Sequence, residues 1–328
     1  MYLVTGGAGF IGSNIVAALD ARAPGRVVVC DRLRSDVKWR NLAKRDLADI
    51  IHPDALPEFL SRHGAELRAV IHMGAISATT ETDADLIFRS NFRLTLDLWD
   101  WCATAGVPLV YASSAATYGD GSQGFVDDPD LAAQARLRPL NAYGWSKHLT
   151  DRRILRRLAE GGAAPPQWVG LKFFNVYGPN EYHKGSMKSV VAHLHPVAAA
   201  GQTARLFKSH RPDYEDGGQM RDFVWVGDCV DLVMWFLDNP GVSGLFNCGT
   251  GKARTFADLA RAVYAALGRQ ADITYIPTPE AIRDKYQYYT QADMTRLRAA
   301  GYDKPFTDLE DGVRRYVTGF LEQDDPFV

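Results

Sequence analysis

Three glycines at fixed spacing near the amino terminus constrain this chain more than any other feature. Tyr2-Leu3-Val4-Thr5 reads as a short apolar strand, and Gly6-Gly7-Ala8-Gly9-Phe10-Ile11-Gly12 follows it. A helical pattern runs over residues 13–19, and a second strand, Val27-Val28-Val29-Cys30, ends at Asp31. Strand, glycine loop, helix, strand and acid in this order form the βαβ unit that holds a dinucleotide. Glycine lets the backbone turn tightly and approach a pyrophosphate, whose charge then rests at the helix amino terminus. A plain strand–helix turn needs neither three spaced glycines nor Asp31.

Asp31 is placed to accept hydrogen bonds from an adenosine ribose, which favours NAD. Arg32, Arg34 and Lys38 follow at once, and any of them could pair a 2′-phosphate, which favours NADP. These residues alone leave the choice open.

Further strands alternate with helices. Residues 42–60 read as a weak strand and then a helix, with Ala48-Asp49-Ile50 placed to lie beside an adenine. Ala69-Val70-Ile71-His72 is a strand followed by small residues, Met73-Gly74-Ala75, which leave room for a ligand. His72 reads as a packed strand-end histidine. A helix around Asn91 carries that asparagine inward, where it can bond a neighbouring backbone. Leu109-Val110-Tyr111-Ala112 is the next strand, with Ser113-Ser114 at its carboxyl end. The pattern implies an α/β fold, a Rossmann-type doubly wound parallel sheet with helices on both faces.

The pattern changes after Trp168-Val169-Gly170-Leu171-Lys172-Phe173. Residues 175–179 read as a turn and the polar stretch 209–219 as a mobile loop. Residues 223–226 read as a strand. Thr255 is placed to cap a helix over residues 255–268, and residues 292–300 and 309–321 read as further helices. The expected division is a dinucleotide-binding domain over residues 1–172, with return segments near 223–250. A smaller carboxyl-terminal α/β substrate domain spans mainly residues 173–328. A length of 328 residues suits that organisation.

The net charge of −2 gives no global basic field for nucleic acid or a membrane surface. No apolar run reaches the ~18 residues of a membrane helix. Cys30, Cys102, Cys229 and Cys248 are scattered without a CxxC pair, which argues against a zinc site or disulfide framework and for a reducing cytoplasm. The strand at residues 2–4 leaves no room for a signal peptide ahead of the fold.

Tyr143 and Lys147 are four apart on a predicted helix and share a face. A tyrosine with its ordinary pKa of ~10 is a poor base at neutral pH. A nearby ammonium and a cationic nicotinamide would both lower that value. Tyr143 could then take a proton from a substrate hydroxyl. Without the glycine loop and Ser114, the pair would read as an ordinary surface contact.

Together these segments resemble the extended short-chain dehydrogenase/reductase family. Three segments carry that likeness: Thr5 to Asn14, Tyr111-Ala112-Ser113-Ser114-Ala115-Ala116-Thr117-Tyr118-Gly119, and Tyr143-Gly144-Trp145-Ser146-Lys147. Phe174-Asn175-Val176-Tyr177-Gly178-Pro179, Arg221-Asp222-Phe223-Val224 and Leu297-Arg298-Ala299-Ala300-Gly301-Tyr302 extend it. His183-Lys184-Gly185-Ser186-Met187 and Thr290-Gln291-Ala292-Asp293 narrow it to epimerases of ADP-linked heptoses.

The resemblance implies catalytic roles for Ser114, Tyr143, Lys147 and a second lysine, Lys184. It implies substrate contacts at Ser114, Asn175, Ser186, His193, Phe207, Arg221 and Tyr286. Cofactor contacts fall on Gly6, Gly9, Phe10, Ile11, Gly12, Asp31, Arg32, Lys38, Asp49, Ile50, Met73, Gly74, Ala75, Ser77, Asn91 and Val176, besides Tyr143 and Lys147. It implies bound NADP, with Lys38 on the 2′-phosphate, an ADP-heptose substrate of lipopolysaccharide core synthesis, and a homo-oligomer, a pentamer. Lys172 departs from the arginine common in the family, and the 209–219 loop is longer than the resemblance suggests.

Epimerisation is redox-neutral, so a transient ketone must be reduced again on its other face. If that ketone is exocyclic, rotation of the end group presents the face, and two proton sites make sense. A 4,6-dehydratase would carry Asp-Glu where this chain has Ala115-Ala116, which cannot transfer protons. A UDP-hexose 4-epimerase needs no second lysine. A catalytically silent dinucleotide sensor would commonly lack the tyrosine or the lysine.

Overall fold

The computed structural model describes residues 1–34, 37–283 and 287–328. The chain begins β1 (Tyr2–Thr5), α1 (Phe10–Arg22), β2 (Val27–Cys30), β3 (Asp49–Ile51), α2 (Leu56–His63) and β4 (Ala69–His72). β1, β2 and β4 are buried along their whole length, as strands covered on both faces must be. A crossover through α3 (Ala84–Ile87), a π-helical turn (Phe88–Arg93) and α4 (Leu94–Ala105) reaches β5 (Leu109–Ser114). α5 (Leu131–Arg136) and α6 (Ala142–Ala159) lead to β6 (Trp168–Phe173) and β7 (Asn175–Tyr177). Next come α7 (Val190–Ala199), β8 (Ala204–Phe207), β9 (Met220–Trp225), α8 (Val226–Asp238) and β10 (Gly244–Cys248). The chain closes with β11 (Ala253–Thr255), α9 (Phe256–Ala266), β12 (Ile273–Ile276), α10 (Glu280–Arg283), α11 (Thr295–Ala299) and α12 (Leu309–Tyr316).

Seven strands form one parallel sheet in the order β10-β6-β5-β4-β1-β2-β3. The chain winds outward from β1 to β3, then returns to β4 on the other side of β1. That reversal opens a crevice beyond the carboxyl ends of β1 and β4. α1 and α8 cover one face through Ile15, Leu19, Leu232 and Phe236. α2, α4 and α6 cover the other through Leu60, Trp99 and Ile154. A third apolar cluster joins β7, β9, α7, α9 and α12, and Phe10 of α1 belongs to it.

One local reading changes. Residues 175–177 form a strand rather than part of a turn, because Asn175 to Tyr177 pair in parallel with Phe223 to Trp225. Their partner lies nearly fifty residues away, so no local pattern announces it. Residues 209–219 carry no helix or strand, as the loop reading expects, and two bonds fix the start of the loop: the Tyr288 hydroxyl accepts from the His210 amide at 2.8 Å, and Asp216 accepts from the Ser209 amide at 2.8 Å. Thr255 caps α9 as expected, with Asp258 completing a reciprocal capping box.

β5 runs on through Ser113 and Ser114, past its apolar stretch, because Ser114 pairs with Phe173 and a buried carboxylate takes Ser113. That carboxylate is Asp151 of α6. It accepts from Ser113 Oγ at 2.7 Å, Tyr111 Oη at 3.2 Å and Lys172 Nζ at 2.7 Å. Both charged side chains of the Asp151–Lys172 pair are fully buried. Lys172 also donates to Thr117 Oγ1 at 2.9 Å, and Thr117 donates to the Ser114 carbonyl at 2.8 Å.

The glycine loop is closed by backbone packing. Gly6 adopts φ +65°, and a Cβ there would stand 2.6 Å from the Gly74 nitrogen. A Cβ on Gly12 would stand 2.2 Å from the Gly6 carbonyl oxygen. Gly12→Ala should therefore lower stability by about 1–3 kcal/mol in urea unfolding. Lys172→Met leaves Asp151 charged and unpaired and should cost about 3–5 kcal/mol by the same measurement, whereas Lys172→Met with Asp151→Leu should recover much of it.

Candidate active site

One cleft of about 1200 Å³ lies beyond the carboxyl ends of the sheet strands. Its lower wall is the glycine loop and the start of α1: Gly6, Gly9, Phe10, Ile11 and Gly12. Gly9 precedes the helix and contributes no capping side chain, so the first-turn amides of α1 have no intrahelical partner. A cradle that any Cβ would fill, at a helix amino terminus, fits a pyrophosphate.

Asp31 and Lys38 stand together at one end of this wall. Asp31 accepts from the Ala8 amide at 2.9 Å, and Lys38 Nζ lies 2.6 Å from its other oxygen. Met73, Gly74, Ala75 and Ser77 continue the wall. Arg32, Asp49 and Ile50 do not line it. Arg32 is exposed and reaches Asp54 at 3.2 Å, while Asp49 and Ile50 lie exposed on the edge strand β3. Asn91 is fully buried behind the wall. It accepts from the Ile76 amide at 2.8 Å, donates to the Ile76 carbonyl at 3.0 Å and donates to Ser146 Oγ at 3.0 Å. It braces residues 74–77 against α6 and does not face the cleft.

Ser114, Tyr143 and Lys147 come together on the opposite wall. Asn141 caps α6 by accepting from the Gly144 amide at 2.8 Å, which fixes Tyr143 in the first turn. Gly144 is there for space: a Cβ would lie 2.6 Å from the Ala116 carbonyl oxygen, in the turn that follows Ser114. Ser114 Oγ accepts from the Ala116 amide at 3.1 Å and hydrogen-bonds Tyr143. Lys147 is 2% exposed and donates to the Ala112 carbonyl at 2.7 Å.

Burial lowers the Lys147 ammonium to about 8, opposed by Asp151 one turn on. The expectation that the tyrosine is lowered needs correction for the protein by itself. Burial raises Tyr143, and only the Ser114 hydrogen bond opposes it. Lys147 spends a proton on a backbone carbonyl instead. Lowering of Tyr143 therefore requires charge from a bound group. His72 is a packed histidine, held between Thr5 Oγ1 at 2.5 Å and Thr95 Oγ1 at 3.0 Å and lowered by burial to about 3.

The third wall belongs to the smaller part of the chain. Asn175, Val176, Lys184 and Arg221 line it. Lys184 Nζ lies 5.2 Å over the Phe10 ring, and burial lowers its pKa against the opposing charge of Glu181. Ser186 and His193 are exposed and lie outside the wall, joined by a 3.2 Å contact from His193 Nε2 to the Ser186 carbonyl. Phe207 also lies outside it, at the end of β8. Tyr286 falls outside the described residues.

The structure adds lining residues that the sequence did not offer. Thr79, Thr80, Glu81 and Thr82 form a polar rim, and Gln287 and Thr290 close the far end. Gln287 donates to the Gly119 carbonyl at 2.6 Å. Thr290 is positioned by Asp222, whose buried carboxylate accepts from the amides of Thr250, Gly251 and Ala292 at 2.7, 2.9 and 3.0 Å. The Arg-Asp-Phe and Thr-Gln-Ala motifs are thus two ends of one hydrogen-bonded joint. That pairing was the available signal.

Residues 2–249 match the NAD dependent epimerase/dehydratase family. The chain is 50% identical over its whole length to the whole ADP-L-glycero-D-manno-heptose-6-epimerase of Nitratidesulfovibrio vulgaris strain DP4. It is 44% identical, again over both full lengths, to the enzyme of that name from Fusobacterium nucleatum. The crystal structure of the Helicobacter pylori ADP-L-glycero-D-manno-heptose-6-epimerase superimposes with a TM-score of 0.77 at 28% identity, covering 97% of this chain and 95% of that one. The Thermus thermophilus UDP-glucose 4-epimerase in complex with NAD gives 0.73 at 29% identity, covering 96% and 97%. With its glycine cradle and its Ser114–Tyr143–Lys147 wall in one cleft, the chain belongs to the NAD dependent epimerase/dehydratase family, within the extended short-chain dehydrogenase/reductases.

Proposed function

We propose that this protein converts ADP-D-glycero-D-manno-heptose to its L-glycero epimer at C6, a step toward the heptose of lipopolysaccharide core. The observation that carries this reading is a second lysine, Lys184, in the same cleft as Tyr143 and Lys147. Full-length identity of 50% to an enzyme of that name supports it. A bound nicotinamide dinucleotide supplies the hydride acceptor and donor. Gly6, Gly9, Gly12 and the first turn of α1 would hold its pyrophosphate. Lys38 neutralises Asp31 at 2.6 Å, which removes the charge that would repel a 2′-phosphate, so NADP is the expected form.

Tyr143 Oη, bonded to Ser114, takes the C6 hydroxyl proton of one epimer. Lys147 holds the tyrosine helix against β5 through the Ala112 carbonyl, and a bound cationic nicotinamide would supply the charge that favours the phenolate. The end group of the resulting ketone turns about its exocyclic bond. Hydride leaves C6 to the dinucleotide and returns to the other face, Lys184 gives the new alkoxide its proton, and proton exchange with solvent then resets Tyr143 and Lys184 for the next turnover. Arg221 and Asn175 are the cleft residues placed to hold the remainder of the substrate. Residues 1–172 with 223–250 serve the cofactor, and most of 173–328 serves the substrate. Assembly as a homopentamer in the cytoplasm is part of the same reading.

Ala115 and Ala116 line the cleft beside Ser114 and carry no proton, which disfavours a dehydratase. A UDP-hexose 4-epimerase remains the second reading, favoured by the structural likeness to the Thermus thermophilus enzyme. Assay of the purified protein on the ADP-heptose pair and on UDP-glucose separates the two, and turnover of UDP-glucose alone would overturn the proposal. Tyr143→Phe should cut turnover by about 10²–10⁴-fold while the protein keeps its cofactor. Near-normal turnover in that variant removes the tyrosine from the chemistry. Burial lowers Lys147 to about 8, so its charge-assisted hold on the Ala112 carbonyl should weaken, and kcat/KM fall, as pH rises through about 8. A profile flat from pH 7 to 10 contradicts that role.

A further inference from the structure

The turn bearing Lys184 has little to hold it by itself. Residues Tyr182–Met187 form a 3-10 segment that breaks at Gly185, with φ 54° and ψ −124°. Such turns have poor hydrogen-bond geometry and do not stand alone. Just before it, Asn180 adopts φ +71°, a left-handed conformation unusual outside glycine. Something else keeps Lys184 over the Phe10 ring.

Asn14, Ser13 and Asn41 bond residues 179, 180 and 183 from the inner side, and residues 325–328, far away in sequence, support the turn from the outer side. Phe327 is 5% exposed. Its ring meets the Tyr182 ring edge-on at 5.2 Å, and the Arg40 guanidinium covers it at 4.5 Å. Tyr182 Oη donates to the Pro326 carbonyl at 2.7 Å, and the Val328 amide donates to Asn180 Oδ1 at 3.1 Å. On the other side, Lys44 Nζ donates to the Phe327 carbonyl at 2.6 Å and pairs with Asp325 at 2.9 Å. Arg40 and Lys44 flank the end of the 3-10 turn Val37–Leu42, which carries Lys38. One short segment therefore touches both the turn that offers Lys38 to the cofactor side of the cleft and the turn that offers Lys184 to the substrate side.

We propose that residues 325–328, with Phe327 as the plug, are a strap that positions Lys184 for proton transfer. Phe327 is a positioning residue, since its ring touches Tyr182 and Arg40 and not the cleft. The inference rests on the role given to Lys184 above. Phe327 packs on Tyr182, two residues from Lys184, so loosening the strap should let water reach the Lys184 side chain.

The test compares Phe327→Ala, Phe327→Leu and Lys44→Ala with Lys184→Ala in the full-length protein. Misplacing a reacting group by about 1 Å costs on the order of 10²-fold, so Phe327→Ala should lower kcat at least about tenfold with bound cofactor unchanged. Phe327→Leu, which still fills the site, should recover most of kcat. Lys44→Ala, a surface change that leaves the fold intact, should lose less in the same direction. Reductive methylation of Lys184, followed by mass spectrometry across pH, reads the proton affinity of its amine. Its midpoint should rise toward the ordinary lysine value in Phe327→Ala. Unchanged kcat and an unchanged midpoint in Phe327→Ala would overturn the strap, as would equal loss in Phe327→Leu. If Lys184→Ala itself turns over normally, the role of Lys184 falls whatever the strap variants do. If Lys184→Ala is impaired and Phe327→Ala is not, only the strap falls.

Discussion

A single buried carboxylate organises the working half of this molecule. Asp151 sits in a fully buried position with Lys172, and through it α6, β5 and β6 are fixed to one another. A buried ion pair seldom adds stability against a well-packed apolar substitute. What this one adds is registration. Lys172 passes the constraint to Thr117 and Thr117 to the Ser114 carbonyl, so the serine turn cannot shift without disturbing the pair. Asp151 also lies one helical turn past Lys147 and opposes the burial that lowers its ammonium. Holding the serine turn and keeping the lysine charged are two consequences of one charge.

The cleft then depends on backbones that come unusually close. Gly6 approaches Gly74, Gly12 approaches Gly6, and Gly144 approaches Ala116, each within a distance that a Cβ would block. Two of these contacts lie within the glycine-loop wall and the third within the tyrosine wall. The first two clear the floor where a pyrophosphate would rest. The third lets the tyrosine turn touch the serine turn. Glycine in these places is a packing requirement as much as a conformational one.

The two parts of the chain are bolted at α1. Phe10 belongs to the apolar cluster of the smaller part while its helix covers the large sheet. Asn14 donates to the Pro179 carbonyl and Asn180 donates to Ser13 Oγ, so the same helix that offers its amino terminus to a phosphate also anchors the Lys184 turn. Phe10 supplies the aromatic face under Lys184 as well. Cofactor cradle and second lysine are therefore built on one element, and residues 325–328 close the arrangement from outside.

The sequence by itself determined the parallel sheet, the glycine cradle, the Asp31–Lys38 neighbourhood and the Tyr143–Lys147 face. Each rests on short-range spacing: period, glycine interval or a helical turn. It also marked Asn91 as a residue that would bond a backbone, though not that doing so would turn it away from the cleft. Tertiary structure alone decided the rest. Residues 175–177 became a strand because Phe223 to Trp225 arrived beside them. Arg32, Asp49, Ile50, Ser186, His193 and Phe207 lie outside the cleft lining, since which side of a turn or an edge strand faces the crevice depends on packing and not on spacing. Thr290, Gln287 and Phe327 entered through contacts with residues 68, 168 and 145 positions away. Contacts of that span leave no period in a sequence, because chain folding sets their geometry and local propensity does not.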